Sequence, residues 1–319
     1  MHFVILGAGA LGSILAAHLT RAGHQVELIA RGARAALLEE RGVHIRGLQS
    51  FDARCDIVRD AARLVDADVF INTVKTYDSV DALNSLRALR PQQAFSVQNG
   101  VVKEEELRAR FGAAAVLGAM ADFSGELTAD GAALFTRNIN LHLGELTGEL
   151  TVRVGAIAEA IHAAGINARA VPNIQTLVWS KYTGWLALML LAVLTRRFTG
   201  DYLQDPDVAN VVAEITRETA QLAHARGIPL LDISPVPVVR VLAGSAEEAA
   251  AIVQEVGVRM AAQAPTHRLS SLQDLLRGRR LELEETVGYA YQKGLELGLP
   301  MPVLTTCYRI AAAINRGLQ

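Results

Sequence analysis

Residues His2-Phe3-Val4-Ile5-Leu6-Gly7-Ala8-Gly9-Ala10-Leu11-Gly12 run an apolar segment straight into a Gly-x-Gly-x-x-Gly turn. Residues 3–6 are β-branched, aromatic or aliphatic, the make-up of a parallel strand buried on both faces. Residues 13–22 are helix-forming, Gly23 supplies a C-terminal stop, and residues 25–30 read as a second strand, completing a βαβ unit. Glycines at this spacing suit a dinucleotide. Gly7 permits the tight turn, Gly9 lets backbone N–H groups approach a pyrophosphate, and Gly12 lets the helix pack close to the strand with its positive N-terminus toward the phosphates. Gly7, Ala8, Gly9, Ala10, Leu11 and Gly12 are therefore the expected pyrophosphate loop.

The tip of the second strand discriminates between dinucleotides. An Asp or Glu there would hydrogen-bond a ribose 2′-hydroxyl, but the chain reads Ile29-Ala30-Arg31-Gly32-Ala33-Arg34 and has no carboxylate. Arg31 is a planar cation suited to a 2′-phosphate, and Arg34 is placed to add a second contact. The expected cofactor is NADP(H).

Composition limits the other possibilities. A chain of 319 residues, 51% hydrophobic and 20% charged, has material for two folded domains. A net charge of −2 argues against a nucleic-acid partner held by bulk electrostatics. Cys55 and Cys307 are far apart and in no metal-ligand spacing, so no metal is expected, and so few cysteines fit a reducing cytoplasm. The first strand begins at residue 3, which leaves no room for a signal peptide. The longest apolar run, residues 185–194, is ten residues, too short to span a membrane, and reads as the core of a buried helix.

Strand-like and helix-like segments alternate through the first half. Residues 67–75 read as a central strand, 81–89 as a helix stopped by Pro91, 94–100 as a strand with a polar tip, and 104–110 as a helix. A β-rich stretch starts at residues 116–119, turns near Gly131 and returns through 140–144. A helix over 152–164 and a strand over 168–171 precede Pro172. Beyond it, residues 174–196, 206–226, 246–263, 281–297 and 303–316 all look helical. The expected fold is α/β: an N-terminal Rossmann-type dinucleotide-binding domain, 1–172, followed by an all-helical C-terminal domain, 173–319, that binds substrate and offers a surface for a homodimer.

The chain has 31 Lys and Arg, but its only lysines are Lys75, Lys103, Lys181 and Lys293. Lys103 and Lys293 read as solvated helix positions. Lys75 and Asn99 each end a strand at the sheet edge where cofactors bind. Lys181 lies in an otherwise apolar helix, where burial would bring an ammonium toward a useful acid–base range.

Together these residues resemble the ketopantoate reductase family of NADPH-dependent 2-dehydropantoate 2-reductases. The resemblance runs nearly end to end, through Gly7 to Gly12, Arg31, Val74-Lys75, Gln98-Asn99-Gly100, Lys181, and Ser270-Ser271-Leu272-Gln273-Asp274 followed by Glu282. It implies that Lys181 is the general acid, that Ser270 and Glu282 serve the substrate and the acid, and that Lys75 and Asn99 line the nicotinamide end of a cleft between domains. From the residues alone, Ser270 equally reads as a helix N-cap and Glu282 as a solvated helix carboxylate.

One departure bears on substrate. The family carries asparagines four and eight residues after the lysine, where this chain has Trp185 and Met189; Thr199 and His267 stand where further asparagines are expected. An i, i+4, i+8 spacing gives Lys181, Trp185 and Met189 one helix face and a pocket with an apolar wall. The expected activity is NADPH-dependent reduction of a small-molecule 2-oxo acid, with catalytic Lys181 and Glu282 and with Asn99, Ser270, Trp185 and Met189 toward substrate. The family's own reaction, another hydroxyacid or amino-acid dehydrogenase, and a non-catalytic NADP(H)-sensing protein are the alternatives.

Overall fold

The opening apolar run forms β1 (His2–Leu6), the middle strand of a five-stranded parallel sheet, in a computed structural model that describes residues 1–233 and 235–318. Its neighbours are β2 (Gln25–Ile29) and β6 (Asp66–Asn72), flanked by β5 (Asp56–Val58) and β7 (Arg90–Ser96), in the order β5-β2-β1-β6-β7. Pairing runs from His2 with Gln25 to Leu6 with Ile29 on one side, and from Phe3 with Val69 to Leu6 with Asn72 on the other. The period-2 alternation of a strand divides β1 between two cores. Phe3 and Ile5 pack with Val69, Ile71 and Phe95, whereas Val4 and Leu6 pack with Phe70 and Ala94. Both faces are covered, so the strand has no polar alternation.

A second sheet in the same unit contains β3 (Val43–Gly47), β4 (Phe51–Ala53), β8 (Leu117–Leu127), β9 (Ala133–Glu145) and β10 (Ala168–Ala170). β8 and β9 form a long antiparallel hairpin, and Gly131, at φ +87°, donates to Thr128 O at its turn. Helix α1 (Ala10–Arg21) packs in one core with residues of both sheets: Phe3 and Ile5 from the first, Ile45, Phe135 and Leu143 from the second. Every residue from Gly12 to Leu19 is buried, which is why this helix lacks a polar face. The unit is completed by α2 (Gly32–Arg41), α3 (Ser79–Asn84), α4 (Lys103–Phe111) and α5 (Val152–Ala163).

Several local expectations change. Pro91 does not stop a helix; it is the second residue of β7, a terminal strand of its sheet, where a missing N–H leaves no central ladder bond unmade. The helix before it is six residues, Ser79–Asn84, and ends well short of residue 89. The strand expected over 67–75 ends at Asn72, so Lys75 instead caps a short 3-10 turn, Thr76–Asp78.

The chain divides into two compact units, Met1–Gln175 and Thr176–Gln319. All elements assigned to the second among the described residues are helical: α6 (Ile174–Thr195, starting just before the division), α7 (Thr199–Gln204), α8 (Pro206–Ala225), α9 (Val238–Ala243), α10 (Ala246–Gln263), α11 (Ser270–Leu276), α12 (Tyr289–Glu296) and α13 (Pro302–Arg316). Their starts follow local chemistry. Asp205 caps α8 ahead of Pro206, Ser245 and Glu248 close a capping box on α10, and Glu218 of α8 accepts the Val303 and Leu304 amides at the head of α13. The helix expected over 281–297 opens with a π-turn, Glu284–Gly288. The ten-residue apolar run belongs to the longer α6, whose 22 residues and mean hydropathy of 1.5 suffice by length and composition to cross a membrane; 83% of its most apolar window is buried inside the protein.

His18 of α1 is fully buried between the rings of Phe51 and Phe135, and its Nδ1 lies 2.9 Å from Ala164 O. Burial holds this imidazole below the usual histidine range, against the opposing pull of the Ala164 carbonyl. The unfolded chain therefore binds a proton that the folded chain refuses, so this contribution to stability is present above the ordinary pKa of about 6.5 and falls as pH drops below it. Thermal unfolding followed from pH 7.5 to 5 should show that decline, and His18→Gln, which keeps a donor for Ala164 O but cannot ionise, should reduce it. An identical pH dependence in the variant would exclude His18 as the cause.

Candidate active site

The glycine turn between β1 and α1 is shaped by three different requirements. Gly7 sits at φ +105°, and a Cβ there would lie 2.8 Å from Val74 Cγ1. A Cβ on Gly12 would collide with the Gly7 carbonyl oxygen and the Thr73 hydroxyl. Gly9 is exposed, with nothing within 4 Å of where a Cβ would stand. Ala8 is buried beneath the turn, and Ala10 and Leu11 are half-buried at the helix start. Gly9 is the N-cap of α1 without a side-chain cap, and the first turn carries no acid, so the local chemistry suits an anionic pyrophosphate. Thr73, missed by sequence reasoning, places its hydroxyl 3.0 Å from Leu6 O and 2.8 Å from Gly7 O, bracing the turn.

The two arginines after β2 separate in role. Arg31 is exposed at the N-cap of α2, with a 3.3 Å hydrogen bond to Ser85 Oγ. Arg34 instead spends its guanidinium inside the protein, donating to Ala8 O at 2.9 Å, Gly131 O at 2.6 Å and Ser13 Oγ at 2.9 Å. It fastens the glycine turn to the β8–β9 hairpin, which replaces its expected place beside a 2′-phosphate.

Lys75 and Asn99 lie three residues past the ends of β6 and β7, at the carboxyl edge where parallel sheets bind ligands. Both are half-buried. Gln98 joins their loops: its Nε2 donates to Val74 O at 2.9 Å, and its Oε1 accepts from Ser96 Oγ at 2.7 Å and Asn72 Nδ2 at 3.2 Å. Lys103, read from sequence as solvated, is buried, with Nζ 2.7 Å from both Gln98 O and Ala119 O.

The remaining residues belong to the second unit. Lys181 is half-buried on α6, and the next residue, Tyr182, is fully buried, its phenol donating to Thr286 O at 2.7 Å. Thr286 in turn donates through its hydroxyl to the carbonyl of Glu282, which is half-buried ahead of the π-turn. The Tyr182 bond thus ties the segment bearing Lys181 to that bearing Glu282. Of the expected apolar wall, Trp185 retains 9% exposure and Met189 only 1%; Met189 is a core side chain with no surface to offer a substrate in this structure. Ser270 is exposed as the first residue of α11, but the N-cap is Leu269 and no side chain caps the helix. Thr199 and His267, at the other two divergent positions, are paired: Thr199 N donates to His267 O at 3.0 Å, and His267 Nδ1 lies 3.0 Å from Thr199 Oγ1.

Family models match both parts of the chain: Ketopantoate reductase PanE/ApbA over residues 3–148 and Ketopantoate reductase PanE/ApbA C terminal over residues 173–315. A 2-dehydropantoate 2-reductase of Archaeoglobus fulgidus is 29% identical over 98% of each chain. The crystal structure of a PanE/ApbA family ketopantoate reductase from Ralstonia eutropha superposes with a TM-score of 0.84 at 25% identity, covering all of both chains. A D-mandelate dehydrogenase solved with NADH and anilino(oxo)acetate shares the fold at a TM-score of 0.85 and 19% identity, covering 100% of this chain and 99% of its own. The chain belongs to the ketopantoate reductase family of oxidoreductases.

Proposed function

We propose that this protein is an NADPH-dependent reductase of a 2-oxo acid whose substrate pocket diverges from that of relatives acting on 2-dehydropantoate. The observation that carries the reading is Lys181, a half-buried ammonium on a largely buried apolar helix, tied through Tyr182 and Thr286 to the Glu282 segment. Bound NADPH supplies a hydride to the carbonyl carbon. Lys181 Nζ gives its proton to the carbonyl oxygen, so that the ketone becomes a secondary alcohol. Glu282 orients Lys181 or the nascent hydroxyl, and the exposed Ser270 hydroxyl receives the substrate carboxylate. Lys75 and Asn99 hold the nicotinamide ribose. The glycine turn and the bare head of α1 fit a pyrophosphate, and Arg31, with no carboxylate near it in sequence at the strand tip, fits a 2′-phosphate.

The choice of substrate follows from unmade hydrogen bonds. Where the family carries two amides, Trp185 keeps only 9% exposure and Met189 is sealed in the core, so neither position supplies a group that offsets the desolvation of a substrate hydroxyl. Sharing a fold with a D-mandelate dehydrogenase means that the fold itself does not select ketopantoate. An aliphatic or aromatic 2-oxo acid is therefore the preferred substrate. The second reading, 2-dehydropantoate reduction proper, is favoured by the similarity to the Archaeoglobus reductase.

Comparison of kcat/KM for ketopantoate and apolar 2-oxo acids of similar length, with NADPH, separates these readings. Apolar substrates should be preferred; a clear preference for ketopantoate would reinstate the family's usual reaction, and NADPH binding without turnover of any carbonyl would favour the sensor. With the best substrate, Lys181→Ala should lower kcat about 100-fold or more while NADPH affinity is retained, and Lys181→Arg should not recover it because a guanidinium does not release a proton near neutrality. Near-full turnover in either variant would make Lys181 structural.

The arginines give a separate prediction. Arg31→Ala should weaken NADPH binding by about 10- to 100-fold, the worth of one charged contact, and leave NADH binding unchanged. Arg34→Met should weaken both alike and lower the unfolding midpoint, because it unfastens the turn. Equal affinity of the unaltered protein for the two cofactors would contradict the assignment of Arg31.

A further inference from the structure

Lys103 and Glu104 open α4 as two buried charges, 3% and 6% exposed. The ammonium donates to the carbonyls of Gln98 and Ala119, and Glu104 Oε1 has no hydrogen-bond partner among the described residues. Burial pushes the Glu104 carboxyl up to about 7, against the pull of Lys103 and of the Glu104 and Ala119 amides, and pushes the Lys103 ammonium down. Both hydrogen bonds of the Lys103 ammonium go to backbone carbonyls rather than to a carboxylate, and a buried ammonium is an expensive way to fill a core position. What Lys103 does distinctively is hold one peptide.

That peptide precedes Asn99. Lys103 fixes the Gln98 carbonyl to β8 through Ala119, and the Gln98 side chain reaches Val74 O, one residue before Lys75. Gly100, at φ +88°, turns the chain immediately afterwards. The loops bearing Lys75 and Asn99 are therefore joined through Gln98, and Gln98 is anchored from below by Lys103.

We propose that Lys103 is a positioning residue for the cofactor end of the site, setting Asn99 directly and Lys75 through Gln98. The proposal rests on the reading of Lys75 and Asn99 as nicotinamide-end residues. Lys103 is itself too buried to touch a ligand.

The test is the double variant Lys103→Met/Glu104→Gln, which removes both charges and leaves no lone buried carboxylate. In the protein without cofactor, amide hydrogen exchange over residues 97–101 should accelerate about tenfold or more, while exchange over residues 7–13 stays unchanged. With NADPH and the best 2-oxo acid, kcat of the folded variant should fall about 10- to 100-fold, as for a misplaced site. Lys103→Gln/Glu104→Gln, whose shorter neutral donor reaches one carbonyl, should fall between and serves if the Met variant does not fold. Unchanged exchange over 97–101 in a folded variant, or faster exchange with unaltered kcat, would overturn the proposal. Faster exchange in the variant, beside an unaltered protein that turns over no 2-oxo acid, would support the anchoring and defeat the reductase reading instead.

Discussion

The approach of Gly12 to the Gly7 carbonyl and the Thr73 hydroxyl sets the rest of the first unit. No side chain fits there, so α1 leaves β1 pressed against the tip of β6. A helix held that closely buries one side on the first sheet, and its other side is covered by β3, β8 and β9. The result is a helix buried on all sides from Gly12 to Leu19, with a bare N-terminus over an exposed Gly9. Arg34 secures the same turn from the opposite direction through Ala8, Ser13 and Gly131. The uncapped helix head proposed to take the pyrophosphate thus owes its shape to close packing at Gly12.

Each unit sets buried polar anchors beneath the half-buried residues proposed to work in it. Gln98 and Lys103 stand beneath Asn99 and Lys75, and Tyr182 with Thr286 stands beneath Lys181 and Glu282. Such anchors restrict the motion of long side chains before a ligand arrives, which lowers the ordering cost of binding. In both places the anchoring bond joins elements far apart in sequence.

That distance explains what the sequence could and could not disclose. The βαβ unit and the glycine turn were legible because strand, turn and helix are contiguous and each glycine has a local reason. The long helices after residue 173 announced themselves by their apolar period, whereas the six-residue α7 and α9 did not. The short strands β3, β4 and β5 were not legible, since three to five residues carry little pattern and gain their order from partners elsewhere. Pro91 was misread because its tolerance depends on β7 lying at the end of the sheet order, a property of topology. Arg34 was read as a contact for a 2′-phosphate and Lys103 as a solvated cation because partners such as Gly131 and Ala119 lie 97 and 16 residues away. Met189 shares a helix face with Lys181 by spacing, but spacing does not tell that a face is sealed.

The central claim is that hydride passes from NADPH to the carbonyl carbon of a 2-oxo acid on this chain. The most direct measurement supplies NADPH carrying deuterium at both hydrogens of nicotinamide C4, with the best 2-oxo acid, and follows the label by mass spectrometry. The account predicts a 2-hydroxy acid carrying one deuterium at C2, in an amount equal to the NADPH consumed. NADPH consumption without deuterium in the product, or no hydroxy acid from any 2-oxo acid, would contradict it.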